Sequence, residues 1–229
     1  MREPIAKAYF TFGPMNSSKT ATLIMNAFNY GEQGKNAIIF KPSIDNRDGE
    51  ESVIKSRAGQ SAACKLFKPD DNLFLIIAEL AGWNKDYCEE LKGMASEGIE
   101  ISHIAKDSFG MTNVATVDCV LVDEIQFATV EQAKQLLDVV DYLNIPVLAF
   151  GLRNDFRRDP FPSSMIFAAE AEKIKENKGI CWCGSKATHV LRVGEDGKVI
   201  TDGDQICVGG NSLYHSVCRY HHKAGQYKK

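Results

Sequence analysis

The chain has 229 residues, 44% of them hydrophobic and 25% charged, enough for one or two domains with a real core and incompatible with wholesale disorder or collagen-like repeats. A net charge of -3, from 27 Lys plus Arg against 30 Asp plus Glu, gives no global attraction to nucleic acid or anionic lipid, so any polyanion site is local. No apolar run approaches the ~18 residues of a membrane span, and Met1–Phe12 has no export-signal pattern, so a cytoplasmic chain with no membrane partner is expected.

The first readable unit, Ala6 to Phe12, is an apolar and aromatic run closed by Gly13-Pro14. Leu23, Ile24, Ala27 and Phe28 then recur at helical spacing, Gly31 and Gly34 stop the helix, and Ala37 to Phe40 forms a second strand. This opens a βαβ architecture. From Cys64 to Thr116 the pattern weakens, although Asp70-Asp71-Asn72 can cap a helix with the apolar face Leu73, Ile76, Ile77 and Leu80. Val117 to Val122 is nearly continuous in apolar residues, as expected of a parallel strand buried on both faces, and ends in Asp123-Glu124. Thr129 to Gln132 reads as a capping box for a helix with the face Ala133, Leu136, Leu137, Val140 and Leu143; Pro146 to Gly151 is the next strand. After Lys178 the composition turns to short alternating runs, glycine turns and clustered cysteines. This predicts a P-loop α/β domain over residues 1–178 and a small β domain over 179–229, too core-poor to stand without a metal staple.

Gly13-Pro14-Met15-Asn16-Ser17-Ser18-Lys19-Thr20 matches G-x-x-x-x-G-K-[ST] except that Ser18 replaces the second glycine. Flanked by strand and helix, such a loop points backbone N–H groups at phosphates, with Lys19 reaching the β/γ-phosphates of ATP and the Thr20 hydroxyl holding Mg²⁺. Asp123 and Glu124, at the carboxyl end of a buried strand, supply an acidic group for the metal and a second able to accept a proton.

The seven cysteines are an odd number in a reducing compartment. Cys64, Cys88 and Cys119 stand singly and read as buried small residues. Cys181-x-Cys183 and Cys218-x-x-His221 supply four ligands for structural Zn²⁺, with His222 able to replace His221 and Cys207 able to compete for a position.

The chain resembles the type II thymidine kinases of the bacterial branch. The resemblance runs through Tyr9-Phe10, the Met15-Asn16 loop, Ile44-Asp45-Asn46-Arg47, Ser56-Arg57-Ala58-Gly59, Val122-Asp123-Glu124-Ile125-Gln126-Phe127 and Gly151 to Arg157. It continues through Cys181-Trp182-Cys183-Gly184, Val208-Gly209-Gly210 and Tyr214 to Arg219. It implies a RecA-like sheet with a zinc-ribbon lid, and transfer of the ATP γ-phosphoryl group to the 5′-hydroxyl of thymidine. Within it Glu124 is the general base, and Asp123 and Gln126 belong with the phosphate loop on the ATP and magnesium side. A lasso loop, here Cys207 to Tyr214 with Cys207, Val208, Gly209 and Tyr214, covers the nucleoside. Met15, Phe127, Leu152, Phe156 and Phe161 match its apolar pocket, and Asp45 and Arg47 match positions near sugar and phosphates. The resemblance also implies a homo-oligomer, usually a tetramer. Two rivals are an ATP-hydrolysing motor or switch, in which Glu124 activates water, and a zinc-ribbon nucleic-acid module using the basic tail from Arg219 to Lys229. The pI of about 6.0 counts against the second.

Overall fold

The structure is a computed structural model that describes residues 6–45, 52–84, 86, 90, 93–94, 97, 116–206 and 213–228. Six strands form one parallel sheet: β1 (Ala8–Phe12), β2 (Ala37–Pro42), β5 (Lys65–Phe67), β6 (Cys119–Val122), β7 (Val147–Gly151) and β8 (Lys173–Glu176), in the order β5-β2-β6-β7-β1-β8. Strand side chains alternate between the two faces, and each face has its own core. Val120 and Val122 of β6 join Phe10, Phe40, Val147 and Ala149 under α2 (Leu73–Leu80), α3 (Val130–Leu143) and α4 (Pro162–Glu170). Cys119 and Leu121 of the same strand join Ile39 and Phe150 on the other face, against Leu23 and Ile24 of α1 (Lys19–Glu32). The hairpin of β3 (Val53–Lys55) and β4 (Ser61–Ala63) packs on that face through Ile54. A strand buried on both sides must be apolar throughout, which is why Cys119–Val122 reads as an unbroken run.

The caps fall where the sequence predicts them. Asn72 accepts from the Leu75 N–H, and Thr129 and Gln132 form the full capping box of α3. Helix α2 is more deeply buried than its predicted single face, with Phe74, Leu75 and Ala78 also enclosed, because it packs along α3 within the same core cluster. Phe28 is a correction: it is 56% exposed. At ~100° per residue it lies roughly 90° from the centre of the Leu23–Ile24–Ala27 stripe, outside the face that meets the sheet. Cys64 and Cys119 are buried, whereas Cys88 lies outside the described residues.

Beyond β8, the short pair β9 (Gly179–Ile180) and β10 (Lys186–Ala187) precedes an antiparallel sheet. That sheet contains β11 (His189–Val193), β12 (Val199–Ile200) and β13 (Tyr214–Val217), and α5 (Arg219–Lys223) follows it. The apolar cluster of this part is Cys181, Ala187, Leu191 and Val217, with Trp182 and Tyr227 partly buried against it, and Val190 and Val193 are buried as well. Among the described residues no helix is long and apolar enough to cross a membrane.

Candidate active site and metal centre

The carboxyl ends of β6, β7 and β1 lie side by side, with Phe12 in register with Gly151 and Val122 with Ala149, so the loops that follow them open into one crevice. Residues 13–18 wrap the start of α1. Gly13 admits no Cβ, because one would come within 2.4 Å of both the Asn177 carbonyl oxygen and the Ser17 hydroxyl. Asn16 and Ser18 hold left-handed backbones, with φ of 63° and 61°. Ser18 is thus a side-chain-bearing residue in a conformation natural to glycine, the reason the usual loop has glycine there. No carboxylate sits in the first turn of α1, so its positive end stays open to an anion. Lys19 Nζ, largely buried, lies over the loop and donates to the carbonyls of Gly13 (3.1 Å) and Pro14 (3.0 Å).

Facing the loop, the Thr20 hydroxyl donates to Asp123 Oδ2 at 3.0 Å, and the other Asp123 oxygen accepts the Glu124 N–H at 3.1 Å. Glu124 is left-handed, with φ 49° and ψ 44°, which turns the chain from the strand into a short 3₁₀ turn, Ile125–Phe127. Strain of this kind, about 1–3 kcal/mol, persists only where surrounding contacts fix it. Gln126 is that fixture: its amide nitrogen donates to Glu124 Oε2, and its oxygen accepts the Leu152 N–H at 2.9 Å. Gly151 makes room for it, since a Cβ there would lie 2.5 Å from Gln126 Oε1.

These groups line one cavity of about 350 Å³. It brings together Met15 to Thr20, Asp45, Asp123, Glu124, Gln126, Phe127, Leu152, Phe156, Phe161 and Tyr214. Gly13 and Pro14 line a small recess beside it. Arg47, Cys207, Val208 and Gly209, and with them most of the proposed lasso, lie outside the described residues. Phe127 and Phe161 meet edge to face at 6.4 Å, and the Ser164 hydroxyl pins the Leu152 carbonyl at 2.6 Å. Asp45 is held by Lys41 at 3.6 Å, both side chains almost fully buried, a pairing that keeps the charge of each tolerable inside the protein.

Sequence reasoning missed Lys55, Asn154, Val190 and Gln205, and left Ser56 to Ala58 without a role, yet all line the cavity. Lys55 to Ala58 enter on the β3–β4 hairpin, whose only local signal is Gly59 in a left-handed turn. Val190 on β11 and Gln205 in the bend after β12 arrive by tertiary placement alone.

In the C-terminal part, one ligand atom from each of Cys181, Cys183, Cys218 and His221 lies within 4.8 Å of all the others. His221 Nδ1 is 3.4 Å from Cys181 Sγ and 3.3 Å from Cys218 Sγ. Sulfur and nitrogen ligands around a tetrahedral zinc stand about 3.5 Å apart, so the donor set and its spacing fit that ion. Hydrogen bonding from Ser185 pulls the Cys183 thiol down to about 6, toward the thiolate that binds metal, while burial pushes the Cys181 thiol up. Trp182 stacks on the His221 ring at 4.2 Å. His222, one residue on, faces a different side of α5 and meets the Phe156 carbonyl at 2.7 Å through Nε2, which decides between the two histidines. His189 packs beside His222 at 5.1 Å; burial, and then the neighbouring cations His222, Arg153, Arg158 and Arg219, push its imidazole down to about 4.

A glycine-led loop at the carboxyl end of a parallel sheet, faced by an acidic strand end and an apolar wall, has the layout of a phosphotransferase site. The comparisons say which kind. The thymidine kinase family profile matches residues 6–82 and 87–222. The thymidine kinase of Mannheimia succiniciproducens is 42% identical over 219 residues, covering 96% of each chain. That of Aliivibrio fischeri is 42% identical, covering 96% of this chain and 97% of its own, and that of Legionella pneumophila is 36% identical over 97% and 91%. Among solved structures, the Pif1 helicase from Candida albicans aligns with a TM-score of 0.36 and 12% identity over 76% of this chain and 36% of its own, too loosely to support an argument. The chain belongs to the thymidine kinase family, and is a nucleoside kinase.

Proposed function

We propose that the protein transfers the γ-phosphoryl group of ATP to the 5′-hydroxyl of thymidine, giving dTMP and ADP. The observation that supports this most is one cavity holding a phosphate loop, two adjacent carboxylates and an aromatic wall. Ser17 contributes to the fit: its buried hydroxyl has no hydrogen-bond partner among the described residues and lies in the loop, where a phosphate oxygen would accept from it. Lys19 exchanges its loop carbonyls for the β/γ-phosphates. Thr20 and Asp123, already 3.0 Å apart, are the oxygen donors that would hold magnesium. The ion, when bound, neutralises charge on the phosphates. Glu124 takes the proton of the 5′-hydroxyl, oriented by Gln126, and the remaining acceleration comes from positioning.

The same reading gives the apolar nucleoside pocket to Met15, Phe127, Leu152, Phe156 and Phe161, with Asp45 and Arg47 near sugar and phosphate and Tyr214 at the end of the covering lasso, Cys207 to Tyr214. It divides the chain into a RecA-like domain, 1–178, and a zinc-ribbon lid, 179–229, in which Cys181, Cys183, Cys218 and His221 hold a structural zinc. A cytoplasmic homotetramer belongs to it too. Exposed Met25 and Phe28 on α1 and Ile174 on edge strand β8 offer apolar surface for assembly. The test is purified protein with ATP, magnesium and a panel of nucleosides, with products followed by chromatography. Thymidine-dependent ADP and dTMP in equal amounts is the expected result. Phosphate release at the same rate without any nucleoside overturns the proposal in favour of a hydrolase.

A further inference from the structure

The C-terminal strands reach the phosphate loop through Ser216, whose hydroxyl donates to the Met15 carbonyl at 2.6 Å, across 201 positions of sequence. Ser216 lies on β13, two residues after Tyr214 and therefore on the same side of the strand. Tyr214 lines the cavity, and so does Val190, the residue paired with Ser216 on β11. Met15 also lines it, and the next residue, Asn16, is the first of the two left-handed positions of the loop. One face of one short strand thus presents a cavity wall and a grip on the backbone of the phosphate loop.

We propose that Ser216 is a positioning residue that couples the two halves of the cavity, so that filling the nucleoside side favours the phosphate-binding form of the loop, and the reverse. This rests on the functional reading above and adds to it which bond carries the coupling. A nucleoside settling against Tyr214 and Val190 fixes β13, and Ser216 passes that constraint to the Met15 carbonyl. The peptide at Met15 leads directly into a backbone held at φ 63°, so anchoring it narrows the conformations open to the loop before a phosphate arrives. A bond that acts this way changes the ratio of affinities measured with and without the other ligand, and linkage requires the effect to be equal in both directions.

The experiment measures the thymidine dissociation constant by calorimetry on the full zinc-loaded chain, alone and with saturating magnesium and a non-hydrolysable ATP analogue. The wild type is expected to bind thymidine at least about 5-fold more tightly with the analogue, the low end of ordinary coupling. Ser216→Ala should bring the ratio to about one while both ligands still bind, and Ser216→Thr, which keeps the hydroxyl, should restore it. His222→Ala is the control for simple loosening: it removes the grip on the Phe156 carbonyl and should weaken thymidine with the ratio intact. If Ser216→Ala loses its zinc, Ser216→Cys keeps the volume with a weaker donor, and the ratio should fall part-way. A wild-type ratio of one, an unchanged ratio in Ser216→Ala or Ser216→Cys, or an equal collapse in His222→Ala overturns the proposal. If neither thymidine nor the analogue binds the wild type, the functional reading fails and takes this one with it. If both bind and the ratio does not respond to Ser216, only the coupling fails.

Discussion

Leu121 on β6 and Leu191 on β11 are both buried, yet they belong to cores of very different size. Leu121 is fully enclosed in a sheet covered on both faces by helices and a hairpin. Leu191 has Cys181, Ala187 and Val217 as its buried apolar company, and two of the proposed zinc ligands, Cys181 and Cys218, are themselves part of that cluster. The first region has a large apolar core on each face of its sheet, and such burial contributes about 25 cal/mol per Å². The second has a much smaller core, which shares its place with the candidate metal site. On the proposed reading, the phosphate-binding part is therefore built on a large apolar support, whereas the lid would depend on a bound ion.

The largest effect should come from breaking that second region at its centre. Cys218→Ser removes a proposed ligand, and folding of a small zinc unit is linked to a metal-binding free energy of about 10–16 kcal/mol. It should reduce zinc below half an equivalent and unfold the C-terminal strands while the sheet keeps its own calorimetric transition. Metal analysis and scanning calorimetry together check this. A single unchanged transition with zinc retained would mean that the strands are stable without Cys218.

Next is the chemistry placed between the two regions. Glu124→Gln keeps shape and removes basicity, so kcat should fall ~10²- to 10⁴-fold with ATP and thymidine binding and thermal stability nearly unchanged. Asp123→Asn should instead weaken magnesium-dependent nucleotide binding as well. If Glu124→Gln keeps more than a tenth of kcat while chemistry limits the rate, the base lies elsewhere, and Asp45 is the next carboxylate to test.

Leu121→Ala sharpens the contrast from the other side. It should cost about 2–5 kcal/mol of sheet stability in denaturant unfolding and leave zinc content untouched. Loss of zinc in this variant would show that the two regions unfold as one. The smallest effect is Ser18→Gly, which relieves a left-handed serine with φ 61°. It should raise stability by up to ~1 kcal/mol and leave ATP binding intact or tighter. Complete loss of ATP binding would instead make the serine hydroxyl an essential phosphate ligand.

The two regions also differ in how far their sequences disclose them. The βαβ opening, the Cys119–Val122 strand and the capped helices were legible because apolar period and cap residues act within a few positions of each other. Strand β8 was not: Lys-Ile-Lys-Glu at the sheet edge is largely exposed and has no apolar pattern to announce it. In the site, the phosphate loop and the Asp123-Glu124 pair are contiguous motifs, whereas Lys55, Val190 and Gln205 reach the cavity only through tertiary placement. The spacing after Cys218 favoured His221 but left His222 as a substitute, and the turn of α5 separates them by pointing one to the thiols and the other to Phe156.

The position of β1 bears on how such a chain is made. Its two sheet neighbours are β7, where Ala8 pairs with Val147, and β8, where Tyr9 pairs with Lys173. During synthesis β1 leaves the ribosome well before either of its partners and has no strand to pair with until β7 has followed. Contacts of such long sequence separation make folding slow and leave an apolar segment waiting in the meantime. The loop that follows β1 thus gains its sheet support only after β7 and β8 are in place.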